Sequence, residues 1–215
     1  MSNSTIAVGP EAAQRASLYR LLALLYRQEV TPELGERLRE SGMLDLLEGQ
    51  GYDLERDALA DPEELTQLRR EYTRVFIGPG KHVSPCGSVH HPDDPKKGQL
   101  WGDTTVKIHR FAKDHGLSFE GPGYNGIPDH ISHELELFAK LLEGRARAEE
   151  SGDDERAGRI HNSEQYLIRE QLGRWAPEFC RKVAEAATRP FYAEISRLTT
   201  VLLEEEIDSH QGDDT

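Results

Sequence analysis

Apolar residues recur at helical spacing along most of the chain. Leu18, Leu21, Leu22 and Leu25 fall at i, i+3, i+4 and i+7, which is one face of a helix. Pro10 and Glu11 mark its start, because proline tolerates a first turn and an acid suits the positive end of the helix dipole. Thr31-Pro32 and Asp61-Pro62 each place a capping side chain ahead of a proline. After the second signal, Leu65, Leu68, Tyr72, Val75 and Phe76 keep the helical rhythm. A further helix is predicted from about Leu100, with Val106, Ile108 and Phe111 on its apolar face and its end at Gly116. Ile131, Leu135, Phe138 and Leu142 mark a strong one. Residues 160–187 read as two helices parted near Ala176-Pro177, and Phe191, Ile195, Leu198 and Leu202 line the last. Alternating β-branched runs and hairpin dipeptides in strand-like surroundings are missing. The pattern predicts an all-α fold: one helical bundle over residues 1–207, with a hinge near 116–127 and a disordered acidic tail at 208–215.

Two stretches interrupt the rhythm. Ile77 to Gln99 holds four prolines and four glycines, and "EGPGYNGIP" precedes the helix at Ile131. Long ordered loops in small domains usually carry function. Hinge-like segments also make domain swapping into a homodimer compatible with the sequence.

Charge narrows the partners. With 39 acidic residues against 26 lysines and arginines, the net charge is −13. That argues against duplex nucleic acid and against anionic membrane surfaces, and it favours a basic partner. No run reaches the length of a membrane span, and the first residues lack the features of a signal peptide, so a cytoplasmic protein is expected. The two cysteines, Cys86 and Cys180, lie far apart and form no CxxC pair.

The most unusual stretch is "GIPDHISHELELF", Gly126 to Phe138. It crowds Asp129, His130, His133 and Glu134 into one helix start. Asp129 reads as an exposed N-cap, with Pro128 fixing the turn. His130 and His133 are three apart, whereas the HExxH zinc motif sets its histidines four apart. Together with His82, Cys86, His90 and His91 of the long loop they define a metal-site or metal-dependent hydrolase alternative. A nucleophilic Cys86 beside a histidine belongs to the same class. "FIGPG" lacks the GK[ST] that a phosphate loop needs, so no nucleotide motif supports a nucleotide-binding regulator. A third reading is a hydrophobic groove at Tyr72, Val75 and Phe76, with acidic rims that suit a peptide carrying basic residues.

Several pieces occur together in a telling order: "EYTRVFIGPG…VSPCGSVH", "GIPDHISHELELFAKLL" and "RPFYAEISRLTTVL". They resemble the TorD/DmsD/NarJ-type family of redox-enzyme maturation chaperones over roughly residues 15 to 203. The resemblance implies an all-α, cytoplasmic, non-enzymatic protein without a cofactor of its own. It implies a partner too: the twin-arginine signal peptide, the body, or both, of a molybdopterin-containing oxidoreductase subunit. The chaperone would hold that subunit while its cofactor is inserted and prevent premature export. The family's peptide-binding surface would fall on Tyr72, Val75, Phe76, Pro85, Ser88, Pro128, Asp129 and His130. Cys86 stands where the family often has tryptophan, Val75 where leucine is commoner, and Tyr72 where tryptophan can occur. On this reading Asp129 accepts guanidinium hydrogen bonds, a neutral His130 does not repel the arginines, and the apolar stretch lies on Val75 and Phe76.

Overall fold

In the computed structural model, which describes residues 8–116 and 126–211, every regular element among the described residues is helical. The elements are α1 (Val8–Arg27), α2 (Pro32–Glu40), α3 (Met43–Gly49), α4 (Pro62–Tyr72), α5 (Gly87–His90), α6 (Asp103–Asp114), α7 (Ile131–Glu150), α8 (Asp154–Tyr166), α9 (Leu172–Ala186) and α10 (Pro190–Gln211). Two π-helical turns, Thr73–Ile77 and Leu167–Gln171, extend α4 and join α8 to α9.

The local start signals work as the residue types dictate. Thr31 Oγ1 accepts the Leu34 amide at 3.2 Å, and Asp61 Oδ1 accepts the amides of Glu63 and Glu64 at 2.9 Å each. Each cap satisfies N–H groups that the first helical turn leaves without a carbonyl. Gly42, at φ 66°, separates α2 from α3 through the left-handed region that glycine enters without steric cost.

The apolar faces meet in one core. α1 packs along α7, α9 against α10, and α8 against α7. Tyr19 meets Phe138 edge-on with ring centroids 4.9 Å apart. Tyr26, with no exposed surface, lies 5.6 Å from Phe179 and 6.0 Å from Phe76. Each such aromatic pair adds about 0.5–1.5 kcal/mol beyond the area it buries. The Tyr26 hydroxyl finds partners in Ser196 Oγ at 3.2 Å and Thr199 Oγ1 at 3.1 Å, which ties α1 to α10.

The helix boundaries differ from expectation in three places. The chain does not break at Pro177, which lies inside α9. Trp175, Phe179, Cys180 and Val183 are buried on one face of α9, and that burial carries the helix through the proline. The irregularity sits upstream instead, in the π-helical turn at Leu167–Gln171. Val106 is exposed rather than part of the apolar face of α6, where Thr104, Thr105, Ile108 and Ala112 are buried and Phe111 packs against the core as expected. α10 continues to Gln211, past the expected boundary at Ile207, while residues 212–215 of the tail and 117–125 of the hinge lie outside the described residues.

Candidate functional site

The long loop and the Pro-Asp-His turn meet. The Gly87 amide donates to the Asp129 carbonyl at 2.8 Å, and the Ile131 amide donates to the Pro85 carbonyl at 2.8 Å. Cys86 and His130 thereby form an isolated antiparallel bridge. The Asp129 side chain completes the junction, with Oδ2 accepting the Ser88 amide at 2.6 Å. The loop is mostly irregular, as its prolines and glycines require, but one helical turn, α5, forms where Asp129 receives it.

This geometry corrects the expected role of Asp129. It is 0% exposed, and it caps the loop rather than its own helix. The N-cap of α7 is His130, whose Nδ1 accepts the Ser132 amide at 3.2 Å. The proton of a neutral His130 ring therefore sits on Nε2. Burial, with His133 nearby, pushes His130 down to about 3, and burial pushes His133 down to about 4, so both rings are neutral at neutral pH.

The expected peptide groove at Tyr72, Val75 and Phe76 is not a surface. All three are buried, and the Tyr72 hydroxyl donates to the Tyr26 carbonyl at 3.0 Å. The π-helical turn at Thr73–Ile77 rotates Val75 and Phe76 into the core, where Phe76 meets Tyr192 edge-on with ring centroids 5.4 Å apart. Pro128 and Ser88 are buried and Pro85 is half-buried. The exposed large apolar side chains that border the loop are Ile77, Leu100 and Trp101, at its ends. Trp101 is 57% exposed and holds a left-handed backbone at φ 63°, which a non-glycine residue adopts only under constraint. Val83, Val89 and Leu100 line a groove of about 700 Å³ on the outer side of the loop. Arg74, Lys81 and Lys182 stand on its rim with Glu185, so the rim is largely cationic and not acidic.

The histidines are dispersed rather than convergent. His82 donates from Nδ1 to the Gly80 carbonyl, His90 from Nε2 to the Ser84 carbonyl, His91 from Nε2 to the Glu170 carbonyl, and His133 from Nδ1 to the Ile127 carbonyl. No three His, Cys, Asp or Glu side chains among the described residues are arranged to hold a metal ion. Burial, with the charge of Asp129, pushes the Cys86 thiol up to about 12, so it offers no thiolate at neutral pH. Nothing in this arrangement favours the hydrolase alternative.

The sequence profile of the nitrate reductase delta subunit family matches residues 28–181, which span the loop, the turn and most of the core. The chain belongs to this TorD/NarJ family of redox-enzyme maturation chaperones. It is 24% identical to the chaperone protein TorD of Shewanella pealeana over 220 residues, covering 93% of this chain and 90% of that one. It is 30% identical to the Tat proofreading chaperone DmsD of Salmonella paratyphi A over 137 residues, 63% and 58% of the two chains. A TorD of Shewanella piezotolerans is 25% identical over 207 residues, 88% and 89% of the two chains.

In this maturation chaperone two further acids organise the surroundings of the loop, and the sequence reading passed over both. Glu71 is buried and accepts from Arg74 Nε at 2.8 Å, from the Thr188 amide at 2.6 Å and from the Thr188 hydroxyl at 3.0 Å. It fastens the turn before the loop to the α9–α10 connection. Glu55 accepts from Arg189 Nε at 3.0 Å and from the Phe191 amide at 3.1 Å, which caps α10 from a distant segment. The one signal available in sequence is an arginine three residues after Glu71. Among the described residues no helix is long and apolar enough to cross a membrane.

Proposed function

We propose that this chaperone binds the twin-arginine leader, and with it the body, of a molybdopterin-containing oxidoreductase subunit in the cytoplasm, and holds it until the cofactor is in place. The observation that carries the reading is the junction of the loop with the turn: two segments 41 residues apart in the chain meet at Ser88 and Asp129. The relatives named Tat proofreading chaperone and chaperone protein TorD support it. The apolar stretch of the leader suits the groove of Val83, Val89 and Leu100, with Trp101 beside it, because Val75 and Phe76 are inaccessible. The arginines do not suit the cationic rim of that groove. They suit the carboxyls beneath the loop, where charge-assisted bidentate hydrogen bonds are available to a guanidinium.

Fluorescence anisotropy with a labelled leader tests this. Binding is expected to weaken as salt rises, because the approach of two arginines to a chain of charge −13 is screened, while the apolar part of the affinity persists. Failure of leaders from several molybdoenzymes to bind at any ionic strength would remove the reading.

A further inference from the structure

Two carboxyls share the space under the Gly87–Ser88 backbone. Asp129 reaches it through the Ser88 amide. Glu134 Oε2 accepts the indole N–H of Trp175 at 3.4 Å, and that indole lies so close to Gly87 that a Cβ there would sit 3.0 Å from its nitrogen. Both acids are wholly buried. Their second oxygens, Asp129 Oδ1 and Glu134 Oε1, make no protein hydrogen bond among the described residues, and neither does the Ser88 hydroxyl.

Among the described residues the groups that this pair acts on are neutral, and the cation of Arg27 acts on His130 and His133 beside them. Besides each other, Asp129 and Glu134 act on Cys86 from the loop, Tyr166 from α8 and His133 from α7. Burial pushes the thiol up to about 12, raises the phenol and lowers the imidazole to about 4. Burial and the neighbouring Asp129 raise the Glu134 carboxyl well above the usual range. Two carboxyls buried side by side do not both ionise unless a cation pairs with them. The closed loop therefore covers an excess of acceptor oxygens. A buried polar atom without a partner is destabilising, so the cover is held less firmly than its hydrogen bonds suggest. Gly78 and Gly80 flank the start of the loop, where a hinge would have to act.

A guanidinium supplies what the two carboxyls lack: a fixed positive charge and paired donors that match a carboxylate. We infer that Glu134 acts with Asp129 as a two-carboxyl receptor for the leader's arginine pair, with Glu134 protonated in the free chain and releasing its proton to solvent when a guanidinium enters. This inference rests on the leader-binding reading above and adds to it a second arginine-reading residue and a proton-coupled step. The oxygen–hydrogen bond of Glu134 breaks, the proton passes to buffer, and the carboxylate pairs with the incoming cation.

Isothermal titration of the full chain with a synthetic leader, in buffers of different ionisation enthalpy at neutral pH, counts that proton. About one proton released per peptide is expected. A leader with both arginines replaced by glutamine should release none. Glu134→Gln, near-isosteric and uncharged, should also release none and bind roughly tenfold to a hundredfold more weakly. If that variant does not fold, the proton count on the unaltered chain decides alone. Tight binding with buffer-independent heat would overturn the two-carboxyl receptor and leave leader binding standing. Absence of binding by any leader would instead overturn the reading beneath it.

Discussion

Asp129 accepts the backbone amide of Ser88 at 2.6 Å across 41 residues of chain. That one contact joins the two motifs by which the family is recognised. It also changes what a substitution at Asp129 should do. Asparagine can still accept the amide through its carbonyl, so Asp129→Asn should cost little stability. Asp129→Ala should lose a charge-assisted hydrogen bond worth about 1.5–3 kcal/mol and free the loop. Hydrogen exchange over residues 84–90 together with denaturant unfolding checks this. Equal exchange rates in the unaltered chain and in Asp129→Ala would mean that the carboxylate does not hold the loop.

Gly87 makes a separate prediction. A Cβ at this position would lie 3.0 Å from Trp175 Nε1, 3.1 Å from its ring carbon and 3.3 Å from the Thr104 methyl. The indole is in the core and has no room to retreat. Gly87→Ala should therefore destabilise by about 1–3 kcal/mol through overpacking and disturb the Trp175 environment. A melting temperature and tryptophan emission both unchanged from the unaltered chain would contradict the packing described.

Stability should respond to pH in opposing ways. His130 and His133 are held at about 3 and about 4, against an ordinary value of 6.5. Between those values the unfolded chain binds more protons, so their contribution is full above pH 6.5 and is lost as pH falls. Glu164 runs the other way. Burial raises it from 4.5 to about 7 despite Arg145 beside it, so its contribution is full below pH 4.5 and is lost as pH rises to 7. Between pH 4.5 and 6.5 Glu164 offsets only part of the loss from the two histidines, and acid destabilisation steepens below. Relative to the unaltered chain, Glu164→Gln should gain stability steadily from pH 4.5 to 7 and then level off, by roughly 3 kcal/mol in total. Denaturant unfolding at spaced pH values measures the difference, and parallel pH profiles would refute it.

What was legible in sequence follows from the range of each interaction. Thr31 and Asp61 announce their helices because a cap bonds to amides two or three residues on, and the helical spacing of Leu65 and Leu68 needs only local sequence. Asp129 resembles a cap for the same reason, yet its partner lies in another segment, and no local pattern encodes that. The π-helical turn at Thr73–Ile77 is equally silent in sequence, and its extra residue per turn is what carries Val75 and Phe76 inward. Glu71 and Glu55 look like ordinary surface acids until the chain returns, more than a hundred residues later, to place Thr188 and Arg189 against them. The family motifs name two segments that the structure brings together, but burial decides which of their side chains face solvent.

We propose that the client leader is held where the long loop meets the Pro-Asp-His turn. The most direct measurement is photo-crosslinking of a leader that carries a benzophenone beside its arginine pair, with the attachment sites read by mass spectrometry. Attachment is expected within residues 81–101 and 126–134, and it should be lost when both arginines are replaced by glutamine. Attachment concentrated on α2 and α3, or attachment indifferent to the arginines, would contradict it.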